Sequence, residues 1–203
     1  YSFQNCTSLT NINLEGVTGF GIFAFDGCTN LEATVHVKTN TSFQVSSNNA
    51  SLGHSMTFRN CAKLKNVIID EGVTTLGKGA GVFIGTGIEH ITLPSTLKSL
   101  GRLTFAYSSM REIVLPDSLE DAGDASFYSC RNLGKVSIGS GLSKLTYRNS
   151  GGVFQDCTSL TSVVFSANSS LQSIAGAFSG CTSLEAIDIP EGVVTLNGAF
   201  SNT

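Results

Sequence analysis

Nine phenylalanines at near-regular spacing, a small residue three places after each, and a strand-like run behind it predict a β-rich solenoid coiled from a repeat of about 22–23 residues. The phenylalanines are Phe3, Phe25, Phe58, Phe83, Phe105, Phe127, Phe154, Phe178 and Phe200, separated by 22, 33, 25, 22, 22, 27, 24 and 22 residues. The small residue is Cys6, Cys28, Cys61, Cys130, Cys157 or Cys181, and in the other repeats Thr86, Ser108 or Thr203. The run that follows is apolar at its first, fourth and sixth places, as in Leu64, Val67 and Ile69 or Leu133, Val136 and Ile138.

Each element follows from that register. The apolar run predicts one strand per coil, and copies stacked about 4.8 Å apart make a parallel sheet on one face and a body about 40 Å long. In the second repeat, Leu31 to Val37 carries one residue too many, which reads as a bulge. A turn comes next, with Pro94, Pro116 and Pro190 at one equivalent place, then a second apolar pair such as Leu97 and Leu100. Glycine closes the coil before the next phenylalanine, at Gly77, Gly101, Gly123, Gly176 and Gly198. No stretch sustains a 3.6-residue apolar period, so the side opposite the sheet is expected to be short strands, turns or single 3-10 turns. Residues 1–203 then form one domain of about eight and a half repeats, cut mid-repeat at both ends, which leaves coil edges bare and predicts end-to-end self-association.

The pattern A/G-x-F-x-x-C-x-x-L-x-x-I-x-L-P, read in Ala177-Phe178-Ser179-Gly180-Cys181-Thr182-Ser183-Leu184-Glu185-Ala186-Ile187-Asp188-Ile189-Pro190, resembles the BspA-like class of leucine-rich repeats along essentially the whole chain. The resemblance implies a surface-exposed or secreted protein of a bacterium or protozoan, acting as an adhesin for host extracellular matrix or for other cells. The second repeat, about 11 residues too long, and the sixth, about 5 too long, depart from the pattern.

Composition narrows the function. Charged residues are 13% of the chain, the formal net charge is −3, and no basic or aromatic-interleaved cluster occurs, which argues against nucleic acid as a partner. No apolar run approaches the roughly 18 residues of a membrane span, so no insertion is expected from this stretch. Cysteines in one slot could be disulfides or a ladder of buried free thiols. Parallel side chains keep Cβ atoms near 4.8 Å where a disulfide needs about 3.8 Å, which favours free thiols, and Thr86 and Ser108 in the same slot suit a demand for volume. His36, His54 and His90 lack metal-ligand spacing and read as ordinary histidines. Gly79, Gly81, Gly85 and Gly87 precede no helix and read as coil turns, not a phosphate loop. Sequons at Asn5, Asn40, Asn49 and Asn168 are expected by chance in so Ser/Thr/Asn-rich a chain. No nucleophile, base and acid converge, so the chain reads as non-catalytic, without cofactor or metal.

What is left is surface. Two side chains per strand point outward, in one column of Asn11, Thr34, Asn66, His90, Glu112, Lys135, Ser162 and Ala186, and a second of Asn13, His36, Ile68, Thr92, Val114, Ser137, Val164 and Asp188. Ile68, Val114 and Val164 are apolar where water is expected, and with His90 and Glu112 they make the sheet a candidate ligand face, although β-branched propensity alone accounts for them equally well. The insertions, His36 to Met56 and Gly139 to Gly152, offer Phe43, Tyr147 and Arg148 as anchors, since aromatic and arginine side chains dominate interface energetics. The reading is a binding or adhesion module for a protein or glycan, host extracellular matrix included. The alternative is an interaction scaffold without adhesive role, its thiols at home in a reducing compartment.

Overall fold

The computed structural model describes residues 1–46, 54–77, 79, 81–145 and 151–203. Every strand pair in it is parallel, and no helix occurs among the described residues. The strand predicted in each coil appears as β2 (Val35–Val37), β4 (Val67–Ile69), β7 (Glu112–Leu115), β8 (Lys135–Ile138) and β9 (Ser162–Phe165). β2 lies beside β4, and β7, β8 and β9 pair in order, each residue meeting the equivalent residue of the next coil. A second, shorter ladder stands across the core: β1 (Gly19–Phe20) pairs with β3 (Ser42–Phe43) and β5 (Thr75–Leu76) with β6 (Ser99–Leu100). Single bridges from Ser99 to Asp121, Lys144 to Ser173 and Ser173 to Thr195 extend it.

A third line of contact runs through the phenylalanines. The nine rings form one stack from Phe3 to Phe200, neighbouring centroids 5.0 to 6.0 Å apart and planes within 18° of parallel. The backbone that carries them turns sharply in each coil. In the fifth, the N–H groups of Leu103, Phe105 and Tyr107 donate to the carbonyls of Asp124, Ser126 and Tyr128 in the following coil, at 3.0, 2.8 and 2.8 Å. The intervening N–H of Ala106 folds back to Leu103. This alternation places left-handed backbone two residues after the phenylalanine in every coil and two residues before it in most, Gly152 before Phe154 being an exception. On the far side it falls on Asn5, Gly27, Asn60, Gly85, Tyr107, Ser129, Asp156, Gly180 and Asn202, all at positive φ. Seven of these nine are Gly, Asn or Asp, the residues that tolerate that region at least cost. Gly81 and Gly85, which superficially suggested a nucleotide loop, occupy the two left-handed places around Phe83.

Glycine is needed most where backbones meet. A Cβ at Gly101 would run into the carbonyl of Gly77 in the coil before it, and one at Gly152 into the carbonyl of Gly176 in the coil after it. Phenylalanine is fixed by volume: Phe58, Phe83, Phe105, Phe127, Phe154 and Phe178 have no exposed surface, so truncating any of them to alanine removes about 3–5 kcal/mol.

The cysteine slot is more specific than a volume requirement. The thiols of Cys28, Cys61, Cys130, Cys157 and Cys181 donate to the carbonyls of Phe3, Phe25, Phe105, Phe127 and Phe154 in the preceding coil, at 2.9, 3.1, 3.1, 3.2 and 3.2 Å. Those carbonyls have a second lone pair to satisfy, and a short donor reaches it. The hydroxyls in the slot bond differently: Thr86 and Thr203 donate to Phe83 and Phe200 of their own coils, and Ser108 pairs with the Cys130 thiol. All six cysteines are free; five are buried, but Cys6 is exposed, so the fully buried ladder expected from the sequence holds for five. Burial pushes the thiols up, to about 12 at Cys61 and Cys181 and about 11 at Cys130.

Two sequence expectations change in detail. The extra residue of the second repeat is not a bulge in the paired strand, because Val35, His36 and Val37 match Val67, Ile68 and Ile69 one to one; it is absorbed between Leu31 and Val35, where Ala33 is buried. The long insertion is also shorter than His36 to Met56. The chain keeps to the coil through β3 and leaves it only beyond Gln44, where the Ser46 N–H meets the His54 carbonyl at 3.3 Å.

One buried charge sits on the phenylalanine side. Asp26 is almost fully enclosed and accepts both Arg59 donors, Nε at 2.7 Å and the terminal nitrogen at 2.8 Å, plus the Gln4 amide at 3.1 Å. Burial alone would raise its pKa; the Arg59 and Gln4 hydrogen bonds and the guanidinium charge outweigh it and hold the carboxyl below its ordinary 3.8. The Arg59 guanidinium lies 5.3 Å from the centre of the Phe23 ring.

Two measurements check this account. A thiol reagent should label one cysteine in the native protein and six after denaturation without reductant; a native count above one, or a denatured count below six, contradicts it. Because folding lowers the Asp26 pKa, the pair's stabilisation is fully present above 3.8 and is lost as pH falls through the depressed value. Arg59→Gln should cost about 2–3 kcal/mol at neutral pH in chemical unfolding, below the value for a wholly buried pair because the Arg59 edge touches water. That deficit should shrink in acid, where the stranded carboxyl is protonated.

Candidate functional site

Strand alternation builds the sheet face. Along β7, Ile113 and Leu115 are buried while Glu112 and Val114 project outward, and the one-to-one register repeats the arrangement in each coil. Val114 therefore lies beside Ser137 and Ser137 beside Val164, while Glu112 lies beside Lys135 and Lys135 beside Ser162. Ile68, Val114 and Val164 are 50%, 64% and 57% exposed, which for large apolar side chains on a hydrogen-bonded sheet is a substantial cost in water.

Four of the residues singled out from the sequence come together. Ile68, His90, Glu112 and Val114 line one shallow groove, with Thr92 between the two aliphatic residues and Pro116 at the rim. The imidazole Nδ1 of His90 is 3.6 Å from a Glu112 carboxylate oxygen. Val164 belongs to an adjoining groove with Ser166, Asp188 and Glu191. Phe43 is placed elsewhere: half-buried in β3, it stacks on Phe20 at 5.4 Å and meets the edge of Phe83, so most of its ring belongs to the core. Tyr147 and Arg148, like the sequon at Asn49, lie outside the described residues. His36 contacts Asp70 through Nε2. Among the described residues no group of three or more His, Cys, Asp or Glu side chains could hold a metal ion.

Sequence reasoning missed a charged rung beside the outward columns. Lys65 and Arg111 both reach Glu89, at 2.7 and 3.0 Å, and the Lys65 hydrogen bond with the two cationic charges lowers the Glu89 pKa. Its signal was present: the three residues occupy one repeat position with alternating sign. At the rim the Ser95 N–H and hydroxyl donate to Glu71, and those of Ser140 to Asp117, lowering both carboxyl pKa values. These contacts tie each coil to the next along the groove edge. Most of the extra residues of the long repeats fall at one corner, between Phe43 and Phe58, Leu76 and Phe83, and Leu145 and Phe154, after the second ladder and before the next phenylalanine; others lie between Leu31 and Val35 and between Phe165 and Leu171.

The grooves of the sheet face are shallow and open to water. The arrangement offers an exposed, regular face of mixed chemistry.

The same architecture occurs in solved structures. A leucine-rich repeat protein of T. pallidum superposes with a TM-score of 0.57 at 20% identity, over 87% of this chain and 78% of that one. A leucine-rich cell surface protein of Faecalibacterium prausnitzii gives 0.50 at 21% identity, over 98% of this chain and 66% of that one. A leucine-rich repeat protein of Eubacterium ventriosum gives 0.50 at 16%, over 91% and 62%. This chain thus spans about two thirds of the latter two. No curated protein matches the sequence. The model of the BspA type leucine rich repeat region matches in six copies, over residues 1–52, 36–150 and 150–203, so the chain belongs to the BspA-type leucine-rich-repeat family, a protein-interaction fold.

Proposed function

We propose that this chain is a non-catalytic binding module of a cell-surface or secreted protein, and that the sheet face receives an extended protein or glycan ligand, host extracellular matrix among the candidates. The observation that carries the reading is the line of Ile68, Val114 and Val164, exposed side by side with the grooves that hold His90 and Glu112. Apolar groups held out in water on a rigid sheet become stabilising only when a partner covers them. The surface location is supported by the Faecalibacterium relative, a leucine-rich cell surface protein, and by the family. Adhesion is one use of such a face in a surface protein; in the scaffold alternative a non-adhesive partner would cover the same aliphatic residues.

Binding to immobilised matrix proteins and to a glycan panel tests the reading. Ile68→Ser with Val114→Ser should weaken the ligand found at least tenfold, about 1.4 kcal/mol, with little change in melting temperature. If affinity is unchanged there but lost on replacing Tyr147 and Arg148 with alanine, the ligand binds the insertion corner instead. Excision of residues 39–52 is not a clean comparison, because it removes Phe43 from its stack on Phe20.

A further inference from the structure

The outward column through Ile68 alternates in chemistry from coil to coil. Ile68 is followed by Thr92, Val114, Ser137 and Val164, so an aliphatic side chain recurs every second coil with a hydroxyl between. At about 4.8 Å per coil the aliphatic interval is about 9.6 Å. Few polymers share it. An α-helix lying along the column repeats at about 10.8 Å over two turns and drifts about 2.4 Å across the two intervals from Ile68 to Val164. A β-strand presents one face every 6.6–6.8 Å and falls out of step at once. A polyproline-II helix presents every third residue on one side at about 9.3 Å, so three successive side chains stay within about 0.6 Å of Ile68, Val114 and Val164.

The hydroxyls fit the same occupant. The Thr92 and Ser137 hydroxyls make no side-chain hydrogen bond among the described residues, although the Ser137 backbone is paired in the sheet. A polyproline-II backbone has no internal hydrogen bonds, so its carbonyls need outside donors, and the two hydroxyls stand midway between the aliphatic contacts where such carbonyls pass. Resting on the sheet-face reading above, we propose that this column is a docking track for an extended polyproline-II segment carrying an apolar side chain at every third residue.

The test uses the whole chain and a fluorescent peptide of about twelve residues in which isoleucine recurs every third place among prolines, its polyproline-II form verified by circular dichroism. A peptide of the same composition with irregular isoleucine spacing is the comparison. The periodic peptide should bind saturably and about tenfold more tightly than the irregular one. Val114→Thr, an isosteric change at an exposed site, should reduce that affinity about fivefold, whereas Val194→Thr, also exposed but away from the column, should not. Equal binding of both peptides, no saturable binding, or an unaffected Val114→Thr variant overturns the inference. If the peptide fails while a matrix or glycan ligand still depends on Ile68 and Val114, the sheet-face reading stands and only the polyproline-II occupant falls.

Discussion

Each coil must hand backbone N–H groups to the next at the phenylalanine turn, and most of the molecule follows from that demand. The bonds from Leu103, Phe105 and Tyr107 form only if every second N–H points along the axis, which forces left-handed residues around the phenylalanine. A buried turn cannot turn to water for its polar groups, so the alternative to this geometry is a set of unsatisfied donors at about 1–3 kcal/mol apiece. Tyr107 and Ser129 hold left-handed backbone without being Gly, Asn or Asp, at roughly 1 kcal/mol each, a smaller cost than the lost bonds. Once the turn is fixed, the rings it carries can only stack, and where the slot of the next coil holds cysteine its thiol reaches the carbonyl left half-satisfied, as Cys130 reaches Phe105.

The same constraint explains where variation is allowed. The sheet strands are locked in register, and the phenylalanine turn is locked by its N–H groups. The corner between the second ladder and that turn carries neither restriction, and the longest repeats put most of their extra residues there. Lengthening a loop at such a place costs little chain entropy. The outward positions of the sheet are equally free of core duties, so their chemistry too can vary from coil to coil.

The phenylalanine column and the three apolar positions of each strand were legible because a fixed spacing records a fixed direction of the side chain. So was the small slot, although its donor role was visible only in the fact that Cys, Ser and Thr share an X–H group and Ala does not appear there. The left-handed places were half-legible: Asn5, Gly27, Asn60 and Gly85 advertise one, while Phe23, Met56 and Leu103 at the other look like ordinary apolar residues. Phe43 misled, because the second repeat is long and its ring seemed to lie in the excess; the register of Ser42–Phe43 against Gly19–Phe20 shows a core position. The groove of Ile68, His90, Glu112 and Val114 was readable from the alternation of the strands, and the Lys65–Glu89–Arg111 rung was not, since charge alternation between coils shows only when repeats are aligned residue by residue.

The uniform direction of the hydrogen bonds at the phenylalanine turn gives the array an electrical polarity. The N–H groups there that cross between coils donate toward the following coil, as those of Leu103, Phe105 and Tyr107 do. Peptide dipoles of about 3.5 D therefore add head to tail along the axis on that side, whereas the alternating groups of the sheet nearly cancel. The solenoid is lopsided: a helix-like dipole runs down one flank with its positive pole toward the later coils, and the opposite flank is nearly neutral in this respect. Ions and charged neighbours can sense which way the chain runs from one side of the molecule only.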